Sequence, residues 1–193
     1  MIVSTWTKVL VTVITTAALA ACSSLPLPAD VDLRARMDGG ETGSAHVPIT
    51  AGEAQEVDLR LPEDEGACFD IADEGFGVTI ESAQLHWIVD ARYEGPDLSG
   101  MLQARVFVAG ADDELFHPSN TLGPTFTLKL DRTTTRLAGS GVLSPTQLVA
   151  VNDRYVCWGV EVGGRDVAAA EDGTATIHYD VESLRLRVRF SVL

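Results

Sequence analysis

The chain has few positive charges, and this scarcity excludes a class of functions. Its 193 residues include 14 Lys and Arg against 28 Asp and Glu, so the formal net charge is −14. The only lysines are Lys8 and Lys129. Because no basic run with interleaved aromatic residues offsets this charge, binding to nucleic acid is not expected. The sequence also lacks a glycine-rich loop that opens a helix and cradles phosphate, which argues against nucleotide binding.

Patterns typical of catalytic or metal-binding residues are equally scarce. The chain contains four widely separated histidines: His46, His86, His117 and His178. None belongs to a His-x-His or His-Glu-x-x-His pattern. The nucleophile elbow Gly-x-Ser-x-Gly does not occur, and residues 139–141, Gly-Ser-Gly, are interpreted as a bend. We therefore expect no enzyme, no cofactor and no metal site, and we keep a copper-dependent redox protein or metal-binding protein as an alternative.

Long hydrophobic runs are absent too, and the chain begins with one short apolar segment. Residues 9–21 follow Lys8, contain three threonines and are fewer than the roughly 20 residues that a membrane-spanning helix needs. The segment ends in Leu19-Ala20-Ala21-Cys22, where small residues precede a cysteine. A positive residue, a short apolar segment and small residues before a cleavage site are typical of an export signal.

The tetrad Leu19-Ala20-Ala21-Cys22 resembles the lipobox of bacterial lipoproteins, in which the chain is cut before a cysteine that carries a diacylglycerol. The resemblance implies that residues 1–21 are a signal peptide and that Cys22 is a lipid anchor in the bacterial cell envelope. Under the sorting rule of the better-known lipoproteins, Ser23 favours the outer membrane. Residues 22–45 are then a tether with at most a short edge strand at 31–36.

Cysteine is rare: the chain has three, and one of them is the predicted lipidation site. If Cys22 carries lipid, Cys68 and Cys157 remain as an even pair. In an exported protein such a pair favours a disulfide over two free thiols. A zinc site is disfavoured, because neither cysteine has a Cys or His partner at close spacing.

Apolar residues recur at every second position from about residue 46 onward, which is the period of a strand with one apolar face. The predicted core residues are Val57, Leu59, Leu61, Ala83, Leu85, Trp87, Val89, Ala91, Tyr93, Leu102, Ala104, Val106, Val108, Phe126, Leu128, Leu130, Val156, Trp158, Val160, Val162, Ala175, Ile177, Tyr179, Val181, Leu184, Leu186, Val188, Phe190 and Val192. The pattern predicts an all-β domain over residues 46–193, an antiparallel β-sandwich of immunoglobulin-like or jelly-roll-like type with about eight strands.

Turn residues separate the predicted strands, and one segment is predicted to be helical. The turns are placed at residues 94–97, 117–120, 139–141, 163–164 and 171–173. A short helix is predicted near 144–152, because Ser144 can cap the first amides, Pro145 suits the first helical position and Gln147 completes a capping box.

Three arginines form the most regular charged feature. Arg185, Arg187 and Arg189 alternate with apolar residues in the last predicted strand and therefore share one sheet face. They are weak candidates for a ligand-binding site that would take an anionic glycan, a lipid headgroup or an acidic partner. We favour the alternative that they pair with acidic side chains of a neighbouring strand.

These observations predict an exported, lipid-anchored envelope protein that acts without catalysis as a binding or scaffolding module for an envelope protein partner. A glycan- or solute-binding module is a second alternative, beside the metal-binding one. Trp87 and Trp158 do not favour a sugar-stacking surface, because both lie on the apolar faces of their predicted strands.

Replacement of the predicted lipidation site tests the lipobox. We expect Cys22→Ala to abolish acylation, because the lipid is attached to this thiol, and to leave the sandwich folded. Partitioning into detergent measures the first effect, and circular dichroism measures the second. Unchanged partitioning of the variant would refute the lipobox assignment.

Overall fold

The computed structural model describes residues 27–37, 40–62, 66–71, 79–110, 114–153 and 155–191. Within these ranges the chain forms eleven strands, one α-helix and two 3-10 turns. The predicted signal peptide 1–21, the lipidation site Cys22 and the predicted core residue Val192 lie outside the described residues, and their assignments stay predictions.

Most of the strands carry the alternation of apolar and polar residues that predicted a β fold. They are β1 (Leu27–Asp32), β2 (Thr42–Ile49), β3 (Gln55–Leu61), β4 (Ala67–Asp70), β5 (Thr79–Glu94), β6 (Leu98–Ser99), β7 (Leu102–Ala109), β8 (Thr121–Leu128), β9 (Thr134–Val142), β10 (Tyr155–Ala169) and β11 (Gly173–Ser191). The helix α1 spans Pro145–Asn152. The 3-10 turns span Arg34–Arg36 and Pro118–Asn120.

Two antiparallel sheets face each other and confirm the predicted β-sandwich. The first sheet has the order β1, β11, β5, β9, and β2 pairs with the other half of β11 on the side of β1. The second has the order β3, β10, β7, β8, and β4 and β6 also pair with β10. The inner faces enclose one continuous apolar core that includes Trp87 and Trp158.

The alternation predicted this core closely. Every predicted core residue among the described ones is buried, apart from Phe126, Leu130 and Phe190, which are partly buried against the same core. Burial of one such aliphatic or aromatic side chain contributes about 1.5–3 kcal/mol to folding. The inward faces of β3, β5, β7, β10 and β11 therefore supply most of the hydrophobic stabilisation.

The last two predicted strands form one long strand, β11, in the structure. Apolar residues occupy odd positions up to Val181 and even positions from Leu184, and the sequence pattern suggested a break between two strands. In the structure β11 continues through this point, and its register with β5 shifts between Val181 and Ser183. Because a bulge adds one residue to one strand, it restores the inward direction of the apolar side chains after the shift.

Two predicted turns are wrong. Residues 139–141 lie within β9, and residues 163–164 lie within β10. The glycines at 139 and 141 make room for side chains from the core: a Cβ at Gly139 would meet Cζ2 of Trp87 at 2.7 Å, and a Cβ at Gly141 would meet Cγ of Leu122 at 2.5 Å. Glycine here marks close packing rather than a turn.

The predicted helix and its capping box are confirmed. The Ser144 hydroxyl accepts a hydrogen bond from the Gln147 amide at 3.3 Å, and Oε1 of Gln147 accepts one from the Ser144 amide at 2.9 Å. Gln147 is buried and also donates to the carbonyl of Val108 at 2.9 Å. At the other end of α1, Asn152 bonds both the amide and the carbonyl of Ile80. The helix is thus fixed to both sheets.

The sandwich begins earlier and has more strands than the sequence indicated. The strands β1 and β2 start at Leu27 and Thr42, so the predicted tether 22–45 contains one strand and the start of a second. The boundary at residue 46 is therefore too late. The count of about eight strands is too low. The strands β2, β4 and β6 are short or rich in small residues and show no clear alternation, and β9 contains the residues 139–141 that were interpreted as a bend.

The predicted disulfide is confirmed. Cys68 on β4 lies directly opposite Cys157 on β10, with a Cα–Cα distance of 3.9 Å, and the bond joins residues 89 positions apart. Cys157 is buried and Cys68 is exposed. The bond attaches the four-residue edge strand β4 to the central strand β10, and closing so long a loop stabilises the fold by about 4 kcal/mol in the chain-entropy model.

A matched pair of glycine substitutions tests the packing of Trp87. We expect Gly139→Ala to lower the free energy of unfolding by about 1–3 kcal/mol, because the added methyl group overlaps a buried indole ring. Gly163→Ala is the control: its Cβ would meet nothing closer than 3.6 Å. Urea denaturation measures both variants. Equal stabilities of the two variants would contradict this account of Gly139.

Candidate functional site

The outer face of the second sheet contains a groove. Side chains from β3, β7, β8 and β10 line an open concavity of about 540 Å³. Its polar walls include Glu56, Asp58, Gln103, Arg105, Glu161 and Arg165. These residues occupy the strand positions that alternate with the buried ones, so the same pattern that builds the core also points them outward.

Missing side chains on the central strand create the floor of this groove. Gly163 on β10 lies between Asp58 on β3 and Gln103 on β7 in the strand register. Because glycine has no side chain there, the neighbouring residues border an open space. Gly164, the next residue, also lines the groove and precedes a register irregularity between β10 and β3.

The charged groups of the groove are paired with one another. Glu161 lies in register between Arg60 and Arg105 and forms an ion pair with Arg105. Only 12% of the Glu161 side chain is exposed, against 43% for Arg105, so this pair is the least solvated in the groove. Looser pairs join Arg165 to Glu56 at 3.8 Å and Arg60 to Asp58 at 3.9 Å. The groove is therefore polar and close to neutral in charge.

A small apolar cluster covers the neighbouring part of the same face. It consists of Phe107, Ala109, Leu115, Phe116 and Cys157. The rings of Phe107 and Phe116 meet edge to face at 5.4 Å, and the Arg60 guanidinium lies 4.9 Å from the centre of the Phe116 ring. Leu115 and Phe116 thus cover one end of the sheet face and leave the groove open beside it.

The outer face of the first sheet carries the three predicted arginines. Arg187 forms a two-contact ion pair with Asp30 on β1, with Nε–Oδ1 at 2.9 Å, and its guanidinium lowers the pKa of Asp30 through these hydrogen bonds. Arg185 and Arg189 are exposed and have no ion pair within the described residues. The favoured prediction, pairing with acids on a neighbouring strand, is confirmed for Arg187 alone.

Acidic groups crowd the middle of this face. Asp90 on β5 lies directly opposite Asp180 on β11, and Arg136 on β9 bonds both Asp90 at 3.4 Å and Glu182 at 2.5 Å. Partial burial and the nearby carboxylate of Glu182 raise the pKa of Asp90, despite the opposing effect of Arg136. The hydrogen bond from Arg136 lowers the pKa of Glu182.

The four histidines stay apart. His178 lies 3.1 Å from Glu94, His46 bonds Thr176, and His117 bonds Ser119 at the start of a 3-10 turn. His86 lies opposite Arg185. Within the described residues, no three His, Cys, Asp or Glu side chains are grouped so that they could hold a metal ion. The described contacts of His46, His117 and His178 are hydrogen bonds on the first sheet and in a turn.

Sequence reasoning did not find the groove. The alternation predicted that Glu56, Asp58, Gln103 and Arg105 point away from the core, but not which of them meet. A usable signal was the pair of outward positions Gly159 and Gly163, because glycine at such positions on a central strand leaves space above the sheet. A Cβ at Gly159 would meet the Phe116 ring at 2.7 Å, and Gly163 is open.

Comparison with known proteins identifies no family for the chain. No protein-family model and no curated protein matches the chain. The solved empty capsid of Triatoma virus has a TM-score of 0.38 and 16% identity over 77% of this chain and 91% of that one. A structure described as "CBM4 structure and function" has a TM-score of 0.31 and 16% identity, over 72% of this chain and 84% of that one. The structure of the infectious bursal disease virus Gx strain has a TM-score of 0.33 and 9% identity, over 88% of this chain and 42% of that one.

The disulfide indicates the kind of cellular compartment in which the protein folds. Disulfide bonds form and persist in oxidising environments outside the cytosol, so Cys68–Cys157 agrees with an exported protein. Among the helices in the described part of the chain, none has the length and apolar character to cross a membrane.

The raised pKa of Asp90 predicts a pH-dependent effect of its replacement. We expect Asp90→Asn to increase stability at about pH 7, because the folded state disfavours the carboxylate relative to the unfolded chain. The gain in stability is complete above the pKa that Asp90 has in the folded protein. It disappears below the ordinary aspartate pKa of 3.8, where Asp90 is neutral in both the folded and the unfolded state. Urea denaturation at about pH 7 and about pH 3 measures it. A loss of stability at the higher pH would show that the bond to Arg136 dominates.

Proposed function

We propose that the protein is an exported, lipid-anchored envelope protein whose sandwich binds an envelope protein partner without catalysis. The observation that carries this proposal is the groove on the second sheet. It is open, has Gly163 at its floor, and is lined by polar groups from four strands. A site on strands holds its side chains more precisely than a site on loops, which suits recognition.

The pairing of charges supports binding rather than chemistry. A general base or nucleophile needs a group that is available to react, with a neighbour that activates it. In the groove, Glu161 is bound to Arg105, Glu56 to Arg165 and Asp58 to Arg60. These pairs can exchange partners with the charged side chains of a second protein, which gives specificity more than affinity.

The lining also favours a protein over a glycan. Sugars bind well on exposed aromatic rings, and none of the described residues that line the groove is aromatic. The groove is polar, and Met101 at its border is more than half exposed. Polar, solvent-accessible groups of this kind form the rim of a protein interface.

Attachment to the membrane rests on the first 22 residues. The lipobox Leu19-Ala20-Ala21-Cys22 supports a lipid anchor, and Ser23 favours the outer membrane. The Cys68–Cys157 disulfide supports export. One acyl chain gives only marginal attachment, so a multiply acylated amino terminus is part of the proposal.

Site-specific photocrosslinking in intact cells tests the groove. With a photoreactive residue at Gln103, an exposed groove residue, we expect a crosslinked protein adduct of one defined mass. The same residue at Thr134, exposed on the other sheet, is the control and is expected to give no such adduct. Gly163→Val is expected to reduce the adduct at Gln103 at least about fivefold, because the new side chain occupies the groove floor.

Each outcome has a separate meaning. Equal adducts at Gln103 and Thr134, or an adduct that Gly163→Val leaves unchanged, would remove the groove from the proposal. An adduct that digestion with glycosidases abolishes would favour the glycan-binding alternative. Thermal unfolding of the Gly163→Val variant shows whether its effect on crosslinking reflects the groove or a loss of the fold.

A further inference from the structure

The three arginines lie at the end of the first sheet where the chain enters it. Strand β1 pairs with the last part of β11, so that Leu27 is opposite Phe190 and Pro28 is opposite Arg189. Arg187 and Arg185 follow at successive outward positions, further from this end. The three guanidinium groups therefore form a row that starts beside the first described residue of the chain.

The proposed lipid anchor lies close to this row in the sequence. Five residue steps separate Cys22 from Leu27. A fully extended chain spans at most about 3.6 Å per residue, so Leu27 lies within about 18 Å of the lipidated cysteine. A membrane that holds Cys22 is then within about the same distance of the edge at which Arg189 lies.

Two of the arginines are available to bind. Arg187 already forms an ion pair with Asp30, whereas Arg185 and Arg189 are exposed and have no ion pair within the described residues. Asp32 lies opposite Arg185, but its carboxylate accepts the amide N–H of Ala35 at 3.3 Å. In a chain with a net charge of −14, this row is a local concentration of positive charge on an acidic protein.

An exposed apolar side chain accompanies the arginines. Val142 is 67% exposed on β9. Val142 is opposite Gln84, which is opposite Arg187, so Val142 and Arg187 lie on the same rung of the outer face. Cations together with scattered apolar groups are the composition that binds at the headgroup region of a bilayer.

We propose that this surface, the arginine patch formed by Arg185, Arg187, Arg189 and Val142, docks on anionic phospholipid headgroups of the membrane that anchors the protein. The inference rests on the lipid anchor of the proposed function. Guanidinium groups bind phosphate oxygens through paired hydrogen bonds, and the tether keeps the patch near the headgroups. Docking would bring the Arg189 end of the first sheet to the membrane. It would leave the other end of this sheet, with Arg92 and Arg132, and the groove of the second sheet away from the membrane.

Arginine footprinting on vesicles tests the docking. The full chain, purified with its lipid, is mixed with an excess of phosphatidylcholine vesicles or of vesicles that also contain phosphatidylglycerol. Phenylglyoxal then modifies accessible arginines, and mass spectrometry measures the rate at each position. We expect Arg185 and Arg189 to react at least about fivefold more slowly on the anionic vesicles at low salt, and high salt to remove this protection. Arg92 and Arg132 should react equally on both.

A matched pair of variants shows whether the patch acts as a unit. In the unmodified protein, Arg187 is half exposed and should also react more slowly on the anionic vesicles. In Arg185→Gln/Arg189→Gln, this protection of Arg187 should be lost. In Arg92→Gln/Arg132→Gln, which changes the net charge by the same amount at the other end of the sheet, it should persist. Equal loss of the Arg187 protection in both variants would overturn the docking of the arginine patch and indicate a general effect of net charge.

The experiment separates the two proposals. Equal reaction rates of Arg185 and Arg189 on the two kinds of vesicle overturn the docking, whether or not the chain floats with the vesicles. Failure to float with neutral vesicles overturns the lipid anchor, because attachment there depends on the acyl chains alone. Flotation with both kinds of vesicle, together with protection on the anionic kind only, supports both proposals.

Discussion

The pairing of β5 with β11 is the constraint on which the rest of the sandwich depends. These strands have 16 and 19 residues, and their ladder runs from the Thr79–Ser191 pair to the Glu94–Thr176 pair. The strands β1, β2 and β9 attach to this pair, so its register decides which side chains of the first sheet face the core. The bulge before Ser183 keeps both halves of β11 buried and lets one strand span the whole sheet.

The two outer faces differ because the central strands present different residues there. On the first sheet, β11 points long cationic side chains outward, which produces a charged surface whose cations lie at the end where the chain enters. On the second sheet, β10 points Gly159 and Gly163 outward. One glycine admits the Phe116 ring and the other leaves the groove open. A binding groove and a proposed membrane-facing surface thus occupy opposite sides of one core.

Local patterns predicted much of the fold. The buried residues of β5, the capping box of Ser144 and Gln147, and the Cys68–Cys157 bond all followed from periodicity, short-range hydrogen bonding or the cysteine count. The two wrong turns have one physical origin. Glycine within a strand and glycine in a turn look alike in the sequence, and the closeness of Trp87 to Gly139 decides between them only after the strands have paired.

The sequence by itself determined which side chains point inward and where the helix begins, because these depend on neighbours along the chain. The cysteine count indicated which two cysteines are joined. Only the tertiary structure decided which outward side chains meet. Arg187 reaches Asp30 across 157 residues, and Arg105 reaches Glu161 across 56. Such pairs depend on strand order and register between distant segments, which alternation leaves undetermined, and the groove and the arginine patch both arise at this level.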